Sequence, residues 1–177
     1  WEDFQGKDSQ KILRLNPGMA FGTGGHHTTR LCLTMLDELS PSGKDVLDMG
    51  CGSGILSIAA LLLGANTVTA IDIDQLATKI SHENAALNSV DKENFTVYCG
   101  NILEDTVLAD TIGQRPYDII VANIVADVII AMAPLFQRFI KEDGLLIVSG
   151  IIQSRAHEVT DQLQAVGFSV EELREDN

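Results

Sequence analysis

The residues with the most chemistry in their spacing are Asp48-Met49-Gly50-Cys51-Gly52-Ser53-Gly54 and, further on, Asp72. Three alternating glycines follow an apolar run, Val46–Met49, and precede a helical one, Ile55–Leu63. A glycine turn between strand and helix lets the backbone approach a ligand closely. In an open α/β sheet such a turn lies beyond the carboxyl end of a strand, where ligands bind. Asp72 comes 22 residues after Gly50 and ends the next β-branched run, Thr67–Ile71. An acid at that distance can accept hydrogen bonds from both hydroxyls of a ribose. The pair predicts a site for an adenosine-containing cofactor. The simpler role for Asp72 is that of a turn residue at a strand end.

The spacing of the glycines discriminates between cofactors. A dinucleotide turn, G-x-G-x-x-G, wants glycine at position 55, but the chain has Ile55 there and Gly54 one place earlier. The pattern G-x-G-x-G, with Asp48 two residues ahead of it, resembles the first motif of class I S-adenosylmethionine-dependent methyltransferases. S-adenosylmethionine has no pyrophosphate for a helix N-terminus to hold. It carries an ammonium and a sulfonium, which carboxylates near the turn suit. Asp48 could instead only satisfy buried backbone donors. Other chemistries find no support. Gly22, Gly24 and Gly25 are not followed by the Lys-Ser/Thr of a phosphate loop. His26-His27 lacks metal-ligand spacing, so no metal is expected. Ser149 and Ser154 lack a nucleophile elbow.

Three stretches together resemble the PrmA family, methyltransferases of a large-subunit ribosomal protein. They are Asn16-Pro17-Gly18-Met19-Ala20-Phe21-Gly22-Thr23-Gly24-Gly25-His26-His27-Thr28-Thr29, the glycine turn, and Ala122-Asn123-Ile124. The first is the most specific, because generic methyltransferases lack it. Asn16 replaces a usual aspartate and His27 a common proline. The resemblance implies an S-adenosylmethionine site with S-adenosylhomocysteine as product. In it Thr29 contacts the cofactor from the N-terminal side, and Gly50 and Gly52 pack against its amino-acid portion. Asp72 holds the ribose, Asn101 lies near the adenine, and Asn123 lies near the methyl group and the incoming amine. Read alone, Thr29 is a second helix cap and Asn123 a turn residue. The resemblance further implies methylation of lysine side chains and an N-terminal amine of a basic ribosomal protein. It also implies an upstream ferredoxin-like recognition domain and a final strand beyond Asn177, so that cofactor binding would survive here and protein methylation would be weak.

An alternation of elements must position these residues. A loop segment, 1–27, leads to a helix that Thr28 would cap and that runs to about Leu39. Strands are expected at Val46–Met49, Thr67–Ile71, Phe95–Cys99, Tyr117–Ala122, Leu145–Val148 and Phe168–Leu173. Helices are expected at Ile55–Leu63 with Gly64 as cap, Leu76–Leu87, Ala126–Ile140 with a kink or split at Pro134, and Ala156–Val166. This is the signature of one α/β domain over residues 1–177, a doubly wound, Rossmann-like methyltransferase fold. Its mostly parallel sheet would carry helices on both faces.

Composition bounds the partners. The chain has 177 residues, 12 basic against 25 acidic, for a net charge of −13. Such a field disfavours direct nucleic-acid contact and favours a basic partner. The longest apolar stretch, Ile55–Leu63, is too short to span a membrane. Cys32, Cys51 and Cys99 read as reduced thiols, which fits the cytoplasm. An attacking lysine, with pKa about 10.4, must be made neutral by desolvation or a base. His26 is a base candidate by type alone, and no catalytic residue is assigned. Competing readings are another methyltransferase of this fold, a nicotinamide dehydrogenase, and a non-catalytic cofactor-binding module.

Overall fold

A computed structural model describes residues 10–16 and 25–175. Among these, five strands form one sheet in the order β3-β2-β1-β4-β5, with every neighbouring pair parallel. The strands are β1 Asp45–Met49, β2 Thr67–Asp72, β3 Phe95–Cys99, β4 Tyr117–Asn123 and β5 Ile140–Ser149. The helices are α1 His27–Leu39, α2 Ile55–Leu62, α3 Gln75–Leu87, α4 Thr106–Ile112, α5 Ala126–Phe139 and α6 Ala156–Ala165.

Period-two alternation divides the strand side chains between two cores. Val46, Val68, Ala70, Ile119 and Val121 face α1 and α2. Leu47, Met49, Ile71, Ile120 and Ala122 face α4, α5 and α6. With both faces covered, the central strands read as continuous apolar runs. The doubly wound architecture expected from the sequence is therefore present. Chain order reverses at β1, whose neighbours are β2 and β4. A crevice at the carboxyl ends of β1 and β4 follows from that reversal.

Several local expectations are corrected. The cap of α1 is His26, not Thr28: its ring accepts the Thr28 N–H, so the helix begins at His27. Helix α5 is not split at Pro134 but runs unbroken over 14 residues. Its Ile129, Ala133, Phe136 and Phe139 are fully buried, and that packing outweighs one lost backbone bond. It also stops at Phe139, because Ile140 already pairs with Tyr117 in β5. Helix α4 was not anticipated. It has only seven residues, too few to show a period, although Asp105 caps it by accepting the Leu108 N–H at 2.9 Å. The expected strand Phe168–Leu173 is not formed and lies outside the sheet. A strand needs a neighbouring backbone, and none of the described residues runs beside it.

The glycine-rich stretch 17–24 and the start of the expected loop segment lie outside the described residues. Among the described residues, no helix is long and apolar enough to cross a membrane.

Candidate cofactor site

The site grows from the turn after β1. Gly50, Gly52 and Gly54 all have positive φ, at 80°, 54° and 79°. The Gly50 and Cys51 N–H groups both donate to the Ile71 carbonyl, at 2.8 and 3.0 Å, which hangs the turn on the end of β2. A Cβ on Gly50 would also stand 2.5 Å from Ile124 Cγ2. Glycine is thus required twice over, by backbone conformation and by close approach. We expect Gly50→Ala to cost about 1–3 kcal/mol, combining left-handed strain with displacement of Ile124. Thermal unfolding would show this as a fall of several degrees. Gly25→Ala is the control, since none of the described residues lies within 4 Å of a Cβ there.

Asp72 ends β2 and turns its carboxylate toward the glycines. Oδ2 accepts the Gly52 N–H at 2.8 Å and Oδ1 accepts the Asp74 N–H at 2.9 Å. Each oxygen keeps a second lone pair. The carboxylate is therefore held in place yet able to accept two further hydrogen bonds. A vicinal diol such as a ribose has the matching donors.

Asp48 occupies a different environment. It is 1% exposed, on the face of β1 that packs on α2. Its Oδ2 accepts both the Ser57 N–H, at 3.1 Å, and the Ser57 hydroxyl, at 2.6 Å. Gly54 has no side chain to cap α2, so Asp48 does this from the neighbouring strand. Among the described residues its Oδ1 has no hydrogen-bond partner. Burial pushes its pKa up to about 7, against the lowering effect of Ser57, and the Asp72 charge pushes it further. Of the two roles open for Asp48 in the sequence, the structure realises the satisfaction of backbone donors.

Across the crevice, α1 is pinned over the ends of β4 and β5. Asn123 Nδ2 donates to Thr29 Oγ1 at 3.2 Å, and the Ser149 hydroxyl donates to the Thr28 carbonyl at 3.3 Å. Asn123 and Ser149 are partners in the β4–β5 register. Two residues 94 positions apart, both singled out in the sequence, thus meet. His26 is engaged as the cap of α1 and lies 2.7 Å from the Thr28 hydroxyl through Nδ1. That is a structural task rather than a base's.

Asn101 follows β3, and its Oδ1 accepts the Leu103 N–H at 3.2 Å. The neighbouring Gly100 N–H donates to the Asp72 carbonyl at 2.9 Å. Asn101 therefore sits on the edge next to Asp72, with its side chain spent partly on its own turn. Burial raises the pKa of Cys32, to about 12, and of Cys51 beyond the ordinary thiol range. Neither is a ready nucleophile. Among the described residues no cluster could hold a metal ion.

Residues that the sequence did not single out complete the turn. The Ser81 hydroxyl donates to the Gly52 carbonyl at 2.9 Å, and Asn84 Nδ2 donates to the Ser53 carbonyl at 2.8 Å. Their signal was present as polar side chains on the inner face of α3. Their targets, some 30 residues away, were not readable.

A parallel sheet reversing at β1, a glycine turn at the reversal and a carboxylate ending β2 define a Rossmann-like domain of the methyltransferase type. The sequence profile described as Ribosomal protein L11 methyltransferase (PrmA) matches residues 1–177, and the chain belongs to that family. It is 46% identical over 175 residues to the Ribosomal protein L11 methyltransferase of Acetivibrio thermocellus, covering 99% of this chain and 53% of that protein. The protein of the same name from Agathobacter rectalis is 44% identical, with 98% and 55% covered. The chain thus spans about half the length of these curated relatives. A crystal structure of ribosomal protein L11 methylase from Lactobacillus delbrueckii subsp. bulgaricus superposes with a TM-score of 0.86 at 35% identity. That match covers 99% of this chain and 86% of the other.

Proposed function

We propose that this chain binds S-adenosylmethionine and transfers its methyl group to amines of ribosomal protein L11. The observation that carries the reading is the Asp72 carboxylate, held by the Gly52 N–H beside a turn that has Gly54 in place of a glycine at 55. A ribose suits that carboxylate, and the glycine spacing is not that of a dinucleotide turn. Asp72 would bind the two ribose hydroxyls, the backbone at Gly50–Gly52 would pack on the amino-acid portion, and Asn101 would lie near the adenine. Thr29 and Asn123 would border the methyl group. Bound there, the cofactor supplies an electrophilic methyl on a positively charged sulfur.

The chain's own task is then to position an amine and keep it neutral. Asn123 spends its Nδ2 on Thr29, which leaves Oδ1 to accept an N–H from the incoming amine. A neutral amine held this way keeps its lone pair for attack, and alignment supplies most of the rate. Loss of the proton would be driven by desolvation, since no base is assigned. The net charge of −13 favours approach of a basic substrate and disfavours direct contact with nucleic acid. The reading implies a cytoplasmic enzyme without a membrane partner.

Titration calorimetry with S-adenosylhomocysteine and with NAD tests the cofactor directly. Binding of the first alone is expected, and binding of NAD alone would overturn the reading. Asn123→Ala then tests the amine. In radiolabelled methyl transfer to L11, turnover should fall by roughly ten- to a hundredfold while the affinity for S-adenosylhomocysteine changes by less than about threefold. A proportionate loss of both would move Asn123 from amine positioning to cofactor binding.

A further inference from the structure

One face of α3 carries three polar side chains in a line, Ser81, Asn84 and Asn88. Ser81 and Asn84 hold the glycine turn through the Gly52 and Ser53 carbonyls. Asn84 and Asn88 hold a second segment, residues 10–16, which lies against α3. The Asn16 N–H donates to Asn84 Oδ1 at 2.7 Å. Asn88 pairs with Arg14 as a neighbouring strand would: its Oδ1 accepts the Arg14 N–H at 2.8 Å and its Nδ2 donates to the Arg14 carbonyl. Leu13 and Leu15, on the alternate side chains, pack into the core with α1 and α2. The segment is thus sewn down by side chains that imitate a sheet edge.

Asn84 is the junction. It is fully buried, with both ends of its amide engaged: one to the segment, one to the turn. The turn in its turn donates the Gly52 N–H to Asp72. A continuous path therefore runs from the Asn16 backbone through Asn84 to the Ser53 and Gly52 peptides and on to the Asp72 carboxylate. A buried amide cannot drop one partner without leaving a polar group unsatisfied, so its two contacts form or fail together.

We infer that Asn84, supported by Asn88, is a positioning residue that couples residues 10–16 to the cofactor carboxylate Asp72. The segment is then part of the binding machinery through Asn84. This rests on the cofactor reading above. Coupling is reciprocal: whatever the latch contributes to ligand affinity, the ligand returns as protection of the latch.

Asn16→Pro tests the bond from the segment's side: it deletes the N–H that Asn84 accepts and leaves α3 untouched, and Asn16→Ala, which keeps the N–H, is its control for the lost side chain. Asn88→Ala is the second variant, on a half-buried residue, and guards against a fold lost in Asn84→Ala. Amide hydrogen exchange on the ligand-free protein is read first, with Val121 in the central strand as reference. Both variants should speed exchange of the Gly52 N–H roughly three- to tenfold while Val121 is unchanged, as expected for one neutral hydrogen bond. Unchanged Gly52 exchange would overturn the coupling whatever the ligand.

S-adenosylhomocysteine is then added to the parent chain and both variants. Slower exchange at Arg14 and Asn16 in the parent, with affinity in the variants weakened by roughly three- to tenfold, supports the inference. A parent that binds no S-adenosylhomocysteine, while Gly52 exchange still responds to Asn16→Pro, overturns the cofactor reading and leaves the coupling standing. Equal affinity in parent and variants overturns the coupling and leaves the cofactor reading standing. A purely structural role would lower the unfolding temperature without a selective effect at Gly52.

Discussion

Asp72→Ala is expected to weaken S-adenosylhomocysteine binding by at least about a hundredfold. The carboxylate would accept two hydrogen bonds from the ribose, and hydrogen bonds to a charged group contribute about 1.5–3 kcal/mol each. Alanine removes both acceptors. It also releases the Gly52 and Asp74 N–H groups that hold the carboxylate now. The turn would lose one of its ties to the end of β2 as well as its ligand contacts, while the Gly50 and Cys51 bonds to the Ile71 carbonyl remain. Two controls separate these effects. Asp72→Asn keeps one oxygen and the side-chain volume, and should bind with intermediate affinity. Asp74→Ala removes the cap of α3, whose Oδ1 accepts the Leu76 N–H at 2.8 Å, and should cost about 1 kcal/mol of stability with little change in affinity. Calorimetry gives the constants. Ligand-induced stabilisation in a thermal scan gives an independent check, because it scales with the ratio of ligand concentration to its dissociation constant. An Asp72→Ala protein that binds within threefold of the parent would remove Asp72 from the site.

The position of Asp72 was legible in the sequence because it depends on order along the chain. A strand, a glycine turn, a helix and a second strand place an acid at a nearly fixed point of the sheet edge. Gly50, Gly52 and the central strands were legible for the same reason. Asn123 and Thr29 required more. Their 3.2 Å contact joins the end of β4 to the first turn of α1, and nothing local announces it. Only the resemblance to a family singled them out. What stayed hidden depended on contacts between distant side chains. Asn84 and Ser81 are ordinary helix residues until the carbonyls of Gly52 and Ser53 are placed above them. His26 displaced Thr28 as the cap of α1 because an imidazole nitrogen can accept a first-turn N–H, here that of Thr28 itself, as a capping hydroxyl would. The stretch Phe168–Leu173 has a strand's composition but lies outside the sheet. Propensity supplies a pleated shape, and a hydrogen-bonded neighbour makes it a strand.

Asp48 leads to the second large effect, a dependence of stability on pH. Its ordinary pKa is 3.8, and burial raises it to about 7 in the folded chain. Between those values the native state binds this proton more tightly than the unfolded state does. Stability must therefore fall as pH rises through that window. Below about pH 4 both states are protonated and the contribution is complete. Above about pH 7 it is gone, at a cost of up to about 4 kcal/mol. Ser57 limits the loss, because its N–H and hydroxyl favour the ionised form. Asp48→Asn should abolish the dependence. Asparagine keeps an oxygen for Ser57 and puts a neutral amide group where Oδ1 has no partner. Urea unfolding at pH 5 and pH 8 is the measurement. The parent should lose stability between the two, whereas Asp48→Asn should hold nearly level and exceed the parent at pH 8. Ser57→Ala should steepen the parent's slope by removing the hydroxyl that stabilises the charge, its backbone N–H remaining. Parallel curves for the parent and Asp48→Asn would mean that Asp48 is ionised in both states. The charge facing the positively charged cofactor would then come from Asp48 together with Asp72. A flattened curve would leave that task to Asp72 at pH values below 7 and fix Asp48 as the remote cap of α2.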